Sequence, residues 1–445
     1  MSVELSARTV SRTEGVEGVR ALQRVLYRSA KQEPDRRFHA LFDKVARSDV
    51  LWRAWVQVCA NQGAPGVDGV TIDDVVESGV VEFLDGLAAA LKAGTYRPKP
   101  LRRVRIPKPG KPGTTRPLGI PCVCDRVVMT AAKIVLEPVF EADFLESSHG
   151  FRPGRSALGA LESVRHGVNR GRRWVLDADI KACFDEIDHE ALMRQVERRV
   201  CDRAMLKLLR CWLRAGMIEG GLVADTTAGT PQGSPISPLL ANIALHVLDL
   251  AWVEGHQRLG TLVRYADDFV ILCATEDRVE QARSEVAAIL VPLGLRLHPE
   301  KTTVVNLTRG SGGFDFLGFH HRMRPSHRWP GRWYLHRWPS TRAMNSIRSK
   351  VRSMTTHNYA SLSMEAVADR LNPVLRGWGA YFRHGNSSDK FATIDSYVNQ
   401  RLAQLASHKH GLRGWNWTTC FNYRWANSLG IYRLSGSVVY ESAHA

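Results

Sequence analysis

The chain has 445 residues, 44% hydrophobic and 24% charged, the balance of a globular protein with a sizeable core. Its 61 Lys and Arg against 44 Asp and Glu give a net charge of +17, which points to a polyanionic partner. No apolar run reaches the roughly 18 residues of a membrane helix, the polar start MSVELSARTVSRTEG has no signal-peptide core, and eight scattered cysteines without a CxxC pair argue against a zinc site and for a reducing compartment.

Residues 1–35 are polar, with a weak helical pattern in GVRALQRVLYRSA. Apolar residues at helical spacing predict helix over 37–60 (Phe38, Leu41, Phe42, Val45, Leu51, Trp55), and NQGAPGVDG is a loop of turn formers. VVEFLDGLAAALKAG predicts a helix ending near Gly94. RRVRI alternates like a strand, PKPGKPGTT reads as a basic loop, and 125–142 is helical. WVLDADI at 174–180 is a strand, and Asp188 is placed to cap the helical run HEALMRQVERRV. AGTPQGSPISPLLANIALHVLDLAWVEG reads as a loop opening a long apolar helix. Residues 261–273 predict a β-hairpin with Ala266–Asp267 at its tip, followed by helix 277–291, a strand LRLH, a turn RGSGG and a strand FDFLGFHH. The composition shifts at RMRPSHRWPGRWYLHRWPS, and the remainder is mostly helical.

The charge is uneven. Residues 320–445 hold 18 Lys and Arg but 5 Asp and Glu, and seven of the twelve Trp. Arg interleaved with aromatics is the composition that grips phosphates and stacks on bases.

The hairpin tip concentrates charge where none is cheap: Asp267 and Asp268 sit inside LVRYADDFVILC. Clustered carboxylates in apolar surroundings need a counter-charge, which a hard divalent cation supplies. Neighbours on a strand point to opposite faces, so such a site needs a carboxylate from elsewhere. The strand WVLDADI offers Asp177 and Asp179 on one face, and the pattern alone does not choose between them. Asp185 and Asp188 beyond it fit turn and capping roles. Two divalent ions held in this way activate a hydroxyl and stabilise a leaving phosphate, the chemistry of a nucleotide polymerase.

NQGAPGVDG, RRVRIPKPG with RPLGIP, HGFRPGRSA, DADIKACFDEIDH, TPQGSPISPLLANIAL, YADD, HPEKT and FLGF resemble, in order, the blocks of group II intron reverse transcriptases. LNPVLRGWGAYFRHGNSSDKFATIDSYVNQRL at 371–402 resembles their maturase, or thumb, domain. The resemblance spans roughly 36–435. It implies an α+β right-hand polymerase, with fingers and palm on an antiparallel sheet followed by a helical thumb/maturase domain. Its divisions would be an N-terminal extension and start of fingers over 1–95, fingers and palm over 96–320, and an RNA-binding thumb/maturase over 321–445.

The implied activity is RNA-directed DNA synthesis coupled to assistance of intron splicing and retrohoming. The implied metal ligands are Asp179, the carbonyl of Ile180, Asp267 as principal ligand and Asp268 as its support, holding two Mg²⁺ ions with Mn²⁺ as substitute. Arg102, Lys108 and Arg116 would hold the incoming triphosphate. Phe184 would be the steric gate against a 2′-hydroxyl, and Gln232 and Gly233 would shape the nucleotide pocket. Arg376, Trp378, Tyr381 and Arg383 lie in the implied RNA-binding block. The implied partners are intron RNA, a template–primer, dNTPs and a DNA target, in a bacterial cytoplasm and without a membrane. No cluster of paired cysteines and histidine like the family's endonuclease segment follows, so target nicking is not expected. Two alternatives stay open: a splicing cofactor with an idle polymerase site, and a group II-like reverse transcriptase recruited to phage defence or a CRISPR-associated role.

Overall fold

The computed structural model describes residues 2–107, 113–219, 222–224, 229–230, 233–326, 328–412, 416 and 419–439, without the side chains of 2–15, 219 and 222–224. A long N-terminal helix, α1 (Ser2–Gln32), precedes the short α2 (Phe42–Val45) and α3 (Ser48–Ala60). Then come α4 (Ile72–Ser78) and α5 (Val80–Lys92). The start of α4 is a reciprocal cap, with the Thr71 hydroxyl and the Asp74 carboxylate each accepting the other's backbone N–H.

The basic alternating stretch forms a hairpin of β1 (Leu101–Pro107) and β2 (Thr115–Ile120). Next is α6 (Val123–Glu141), buried along most of its length, where it packs against α1 and α3; its half-buried Lys133, Glu137 and Glu141 recur every four residues on one stripe. Then follow α7 (Ala157–Asn169), β3 (Trp174–Asp179), α8 (Cys183–Glu186), α9 (His189–Glu197) and α10 (Arg203–Leu213). Asp188 caps α9 as its position predicts, accepting from the Ala191 N–H at 2.7 Å. Two short strands, β4 (Met217–Glu219) and β5 (Leu222–Ala224), precede α11 (Ser237–Ala251), the hairpin β6 (Gly260–Tyr265)/β7 (Asp268–Cys273), α12 (Glu276–Leu290) and β8 (Thr303–Asn306).

Two expectations fail in the next segment. LRLH is not a strand; Leu297 makes only an isolated bridge with Ile180. FDFLGFHH is not one strand but two, β9 (Gly313–Phe316) and β10 (Phe319–Pro325). Leu317 (φ 49°) and Gly318 (φ 79°) turn the chain between them, the paired positive φ of a two-residue hairpin turn. The stretch marked by a composition shift is itself a hairpin, β10 pairing with β11 (Trp333–Pro339). The helices α13 (Thr341–Ser353), α14 (Met364–Phe382), α15 (Ser388–Lys409) and α16 (Tyr423–Ser428) complete the chain.

Among the described residues three sheets result, in the orders β2-β1-β4-β5, β6-β7-β3-β8 and β11-β10-β9. The central one, β6-β7-β3-β8, is antiparallel throughout. One of its faces carries Leu176, Ala178, Leu262, Phe269 and Ile271 into a core shared with α6, α9, α11 and α12. The other carries Val175, Val263, Val270 and Leu272 into a second core with α7, β9, β10 and the C-terminal helices. Strand alternation thus sends successive residues to two separate cores, and the fold is a mixed α+β palm and fingers with a helical C-terminal region.

Candidate active site

Along its second face the central sheet changes character at one end. The apolar row Val263–Val270 continues across β3 to Asp177, and the next row is Tyr265–Asp268–Asp179, cross-strand partners on three adjacent strands. Partners in register share a face, so Asp179 and Asp268 stand side by side although 89 positions separate them. Asp267 occupies the turn beside them. Of the two carboxylates that the sequence pattern offers, Asp179 sits opposite Asp268, and Asp177 lies one row inward opposite Val270.

The carboxylates repel one another. Surrounding protein, then the charges of Asp267 and Asp179, pushes Asp268 up to about 6, even though residue 268 as a whole borders solvent. Burial raises Asp267 and Asp179 adds to it, against the opposing pull of its own backbone N–H, Lys301 and Arg264. Burial, with Asp268 and Asp315, raises Asp177 to about 7. The nearest counter-charge is Lys301, whose ammonium is ion-paired with Asp179. The His298 N–H donates to the Asp179 carbonyl at 2.8 Å, and the Lys181 N–H to the Arg296 carbonyl at 2.9 Å, so the 296–301 segment fastens the end of β3. Ile180, the implied carbonyl ligand, is buried there.

Among the described residues no group of three His, Cys, Asp or Glu side chains is arranged to hold a metal ion. The donor chemistry nevertheless suits a hard divalent cation. Three oxygen-donor carboxylates lie at one strand end, the Asp179 charge raising Asp267 and both raising Asp268, and Lys301 faces them.

The turn itself is held from behind by residues that the sequence reading did not single out. Arg264, fully buried, forms an ion pair with the fully buried Asp249 of α11, with Nε donating to Oδ1 at 2.9 Å. Its Nη1 donates to the Ala266 carbonyl and to Asn242 Oδ1, both at 3.0 Å. The Asn242 amide donates to the Gly150 carbonyl at 2.8 Å. Burial alone would raise the Asp249 pKa, but Arg264, assisted by His246, holds it at about 2. Ala266 adopts φ 58°, the left-handed region that costs a residue with a Cβ about 1 kcal/mol or more. A side chain at Gly150 would overlap the Ala266 backbone nitrogen. An arginine inside an apolar strand and an aspartate inside an apolar helix were the available signals for this pairing.

The other candidate residues are distributed as follows. Arg102 and Arg116 share one face of the β1–β2 ribbon, since Arg102 pairs with Ile120 and Arg116 with Ile106. They are four positions apart along it, about 14 Å. Gly233 (φ 108°) packs against that ribbon, where a Cβ would come within 2.6 Å of the Gly119 carbonyl. Phe184, half-buried on α8, accepts at its carbonyl from the Thr230 N–H at 2.5 Å, which brings Thr230 to it. Lys108 and Gln232 lie outside the described residues.

In the C-terminal region Arg376 is exposed, with its guanidinium 5.5 Å from the Tyr432 ring centroid. Trp378 packs between Phe382 (4.7 Å) and Phe391 (5.5 Å). The Tyr381 hydroxyl donates to the Leu317 carbonyl at 2.7 Å, tying α14 to the β9–β10 turn. Arg383 caps the end of α14. Trp378 and Tyr381 therefore both serve the packing of this region.

Comparison with known proteins agrees with this arrangement. The family described as "Reverse transcriptase (RNA-dependent DNA polymerase)" matches residues 106–321. "Group II intron, maturase-specific domain" matches residues 344–421. "Protein YkfC" of Escherichia coli (strain K12) is 36% identical over 341 residues, 68% of this chain and 87% of that protein. "Group II intron-encoded protein LtrA" of Lactococcus lactis subsp. cremoris is 31% identical over 361 residues, and this chain spans only 59% of its length. Among solved structures, a chain of a "Partial Cas6-RT-Cas1--Cas2 complex" aligns over 56% of this chain and 42% of its own, at 24% identity and a TM-score of 0.36, too distant to support an argument. With a reverse-transcriptase domain followed by a maturase domain, the chain belongs to the family of group II intron-encoded reverse transcriptase/maturases.

Proposed function

We propose that this chain performs RNA-templated DNA synthesis at the Asp179–Asp267–Asp268 cluster and binds a group II intron RNA to assist its splicing and retrohoming. The observation that carries the reading is the cross-strand pairing of Asp179 with Asp268, with Asp267 in the adjoining turn. The three carboxylates and the Ile180 carbonyl would hold the metals, with Asp267 as principal ligand. Two Mg²⁺ ions, or Mn²⁺ in their place, supply the activation of the primer hydroxyl and the neutralisation of phosphate charge. The primer 3′-oxygen attacks the α-phosphorus of a dNTP, and pyrophosphate leaves.

Arg102, Lys108 and Arg116 hold the triphosphate, with positive charge aimed at where negative charge develops. Phe184 closes the space a 2′-hydroxyl would need, and Gln232 and Gly233 shape the floor of the nucleotide pocket. Lys301, ion-paired with Asp179, would hold that carboxylate in place for a divalent cation. Arg376 and Arg383, with Trp378 and Tyr381 setting the frame of α14, belong to the RNA-binding surface. That surface continues on α13, which holds Arg342, Arg348, Lys350 and Arg352 and no acidic residue. Residues 1–95, 96–320 and 321–445 form the N-terminal extension, the fingers and palm, and the thumb/maturase. The maturase-domain match favours an intron RNA as partner over recruitment to a defence system. Among the described residues no helix is long and apolar enough to cross a membrane, and a cytoplasmic setting, together with a DNA target, is part of the proposal.

The test is extension of a DNA primer annealed to an RNA template with dNTPs and a divalent metal. The reading expects extension that stops when the metal is chelated. Absence of extension with every divalent metal tried would overturn the polymerase assignment.

A further inference from the structure

A second concentration of positive charge lies away from the catalytic cluster, on the fingers. Helix α10 places Arg203, Lys207, Arg210 and Arg214 at steps of four, three and four residues through its C-cap, the spacing of a single helix face. This face forms one wall of a groove of about 620 Å³, and Arg97 and Pro98 form part of the other. Five of its nine lining residues are basic, and none is acidic or aromatic.

The groove is firmly built. The Tyr96 hydroxyl donates to Asp125 at 2.5 Å and accepts from Trp212 Nε1 of α10 at 3.3 Å. The Leu101 N–H donates to the Gly216 carbonyl at 3.1 Å. The strap 96–101 is thereby fixed to α10 at one end and to the chain just beyond α10 at the other. Two of the charges are matched at the rim, Arg210 by Glu197 at 2.5 Å and Arg214 by Glu190 at 3.5 Å. Arg97 donates to the backbone carbonyls of Gly94 and Tyr96. Arg203 and Lys207 are exposed, and neither makes an ion pair among the described residues. Arg203 also opens the helix, where the N-terminal end of the backbone dipole disfavours a cation. An arginine there works against local helix stability, and a polyanion at the groove would offset that cost.

We propose that this groove binds the phosphate backbone of a double-helical RNA segment. The inference rests on the reading of this chain as an RNA-binding reverse transcriptase/maturase. The basic face runs about 16 Å along the helix axis from Arg203 to Arg214, long enough to follow several successive phosphates. With no aromatic ring in its lining, the groove has no stacking platform for unpaired bases, whereas duplex RNA is recognised by shape and by phosphate and 2′-hydroxyl contacts. None of its residues belongs to the carboxylate cluster or to the nucleotide-binding candidates, so duplex capture here and synthesis in the palm are separable.

The experiment uses the full chain and the double variant Arg203→Ala/Lys207→Ala. Both positions are exposed on a helix where alanine is well tolerated, and an unchanged thermal midpoint confirms folding. Binding is measured to an RNA duplex of about 16 base pairs, to single-stranded RNA of equal length and to polyglutamate, across a range of salt. The proposal expects about tenfold weaker duplex binding, and a log K against log salt slope shallower by about 2 for two lost phosphate contacts. Single-strand affinity and primer extension at saturating template–primer should be unchanged. Undiminished duplex affinity, or a loss shared equally by single-stranded RNA or polyglutamate, would overturn it. A wild-type protein that binds duplex through this groove yet extends no primer would instead defeat the polymerase reading and leave the groove standing.

Discussion

Arg264 and Asp249 illustrate how residues that touch no substrate set the geometry of the candidate site. The guanidinium holds the Ala266 carbonyl at 3.0 Å from behind the turn, and Asp249 neutralises it in a region closed to water. Arg264→Met leaves the Asp249 carboxylate buried without its partner, a loss of about 3–5 kcal/mol. The double variant Arg264→Met/Asp249→Leu removes both charges and should recover much of that stability. It should not recover primer-extension kcat, because the Ala266 carbonyl has lost its donor. Thermal unfolding and extension kinetics of the two variants check this, and a double variant with wild-type kcat would contradict the positioning role. Of the carboxylates themselves, Asp267 and Asp268 stood out in the sequence because two charges interrupt an apolar run. Arg264 and Asp249 did not, since each alone reads as an isolated polar residue and only the fold reveals them as a pair. Lys301 was quoted within HPEKT without a role, because a lysine in a loop carries no sign of which carboxylate it will meet.

At the scale of elements, the palm hairpin and strand β3 were legible because period-2 alternation and a two-residue turn are local signals. The pairing of β3 with β7 and β8 was not, since register depends on side chains meeting across the sheet. The break in FDFLGFHH was missed because a leucine at φ 49° disguises a turn as a continuous apolar run. That turn places His321 on β10, fully buried and stacked on Phe314 at 4.9 Å. Burial, with the nearby charges of Arg337 and His320, depresses its pKa to about 3. The unfolded chain therefore binds this proton at higher pH than the folded chain does, from about 6.5 downward. Its contribution to stability is full above that pH and is lost as pH falls toward 3. His321→Phe should flatten the acid side of the stability profile between pH 6.5 and 4 by up to about 1.4 kcal/mol per pH unit. Equilibrium unfolding at a series of pH values reads this directly, and an unchanged slope would contradict it.

For the whole molecule, charge and fold point the same way. The central sheet faces two cores, one shared with the fingers helices and one with the C-terminal helices, so the carboxylate row at its end lies where these regions meet. The C-terminal excess of Arg and Trp marked this region as nucleic-acid-binding from composition alone. Composition did not show that Trp378 is enclosed by Phe382 and Phe391. Nor did it show that a basic groove had formed on α10, whose charges are diluted among acidic residues in the first 319 positions. The central claim is that one chain carries two separable functions, synthesis at the palm carboxylates and RNA binding on the basic surfaces. The most direct test is Asp267→Asn, assayed in one preparation for primer extension on an RNA template and for affinity to group II intron RNA. Loss of a principal electrostatic group from the reacting centre predicts at least about a 100-fold fall in extension rate, with RNA affinity unchanged. Extension that persists near the wild-type rate, or RNA affinity that falls in parallel with it, would contradict the account.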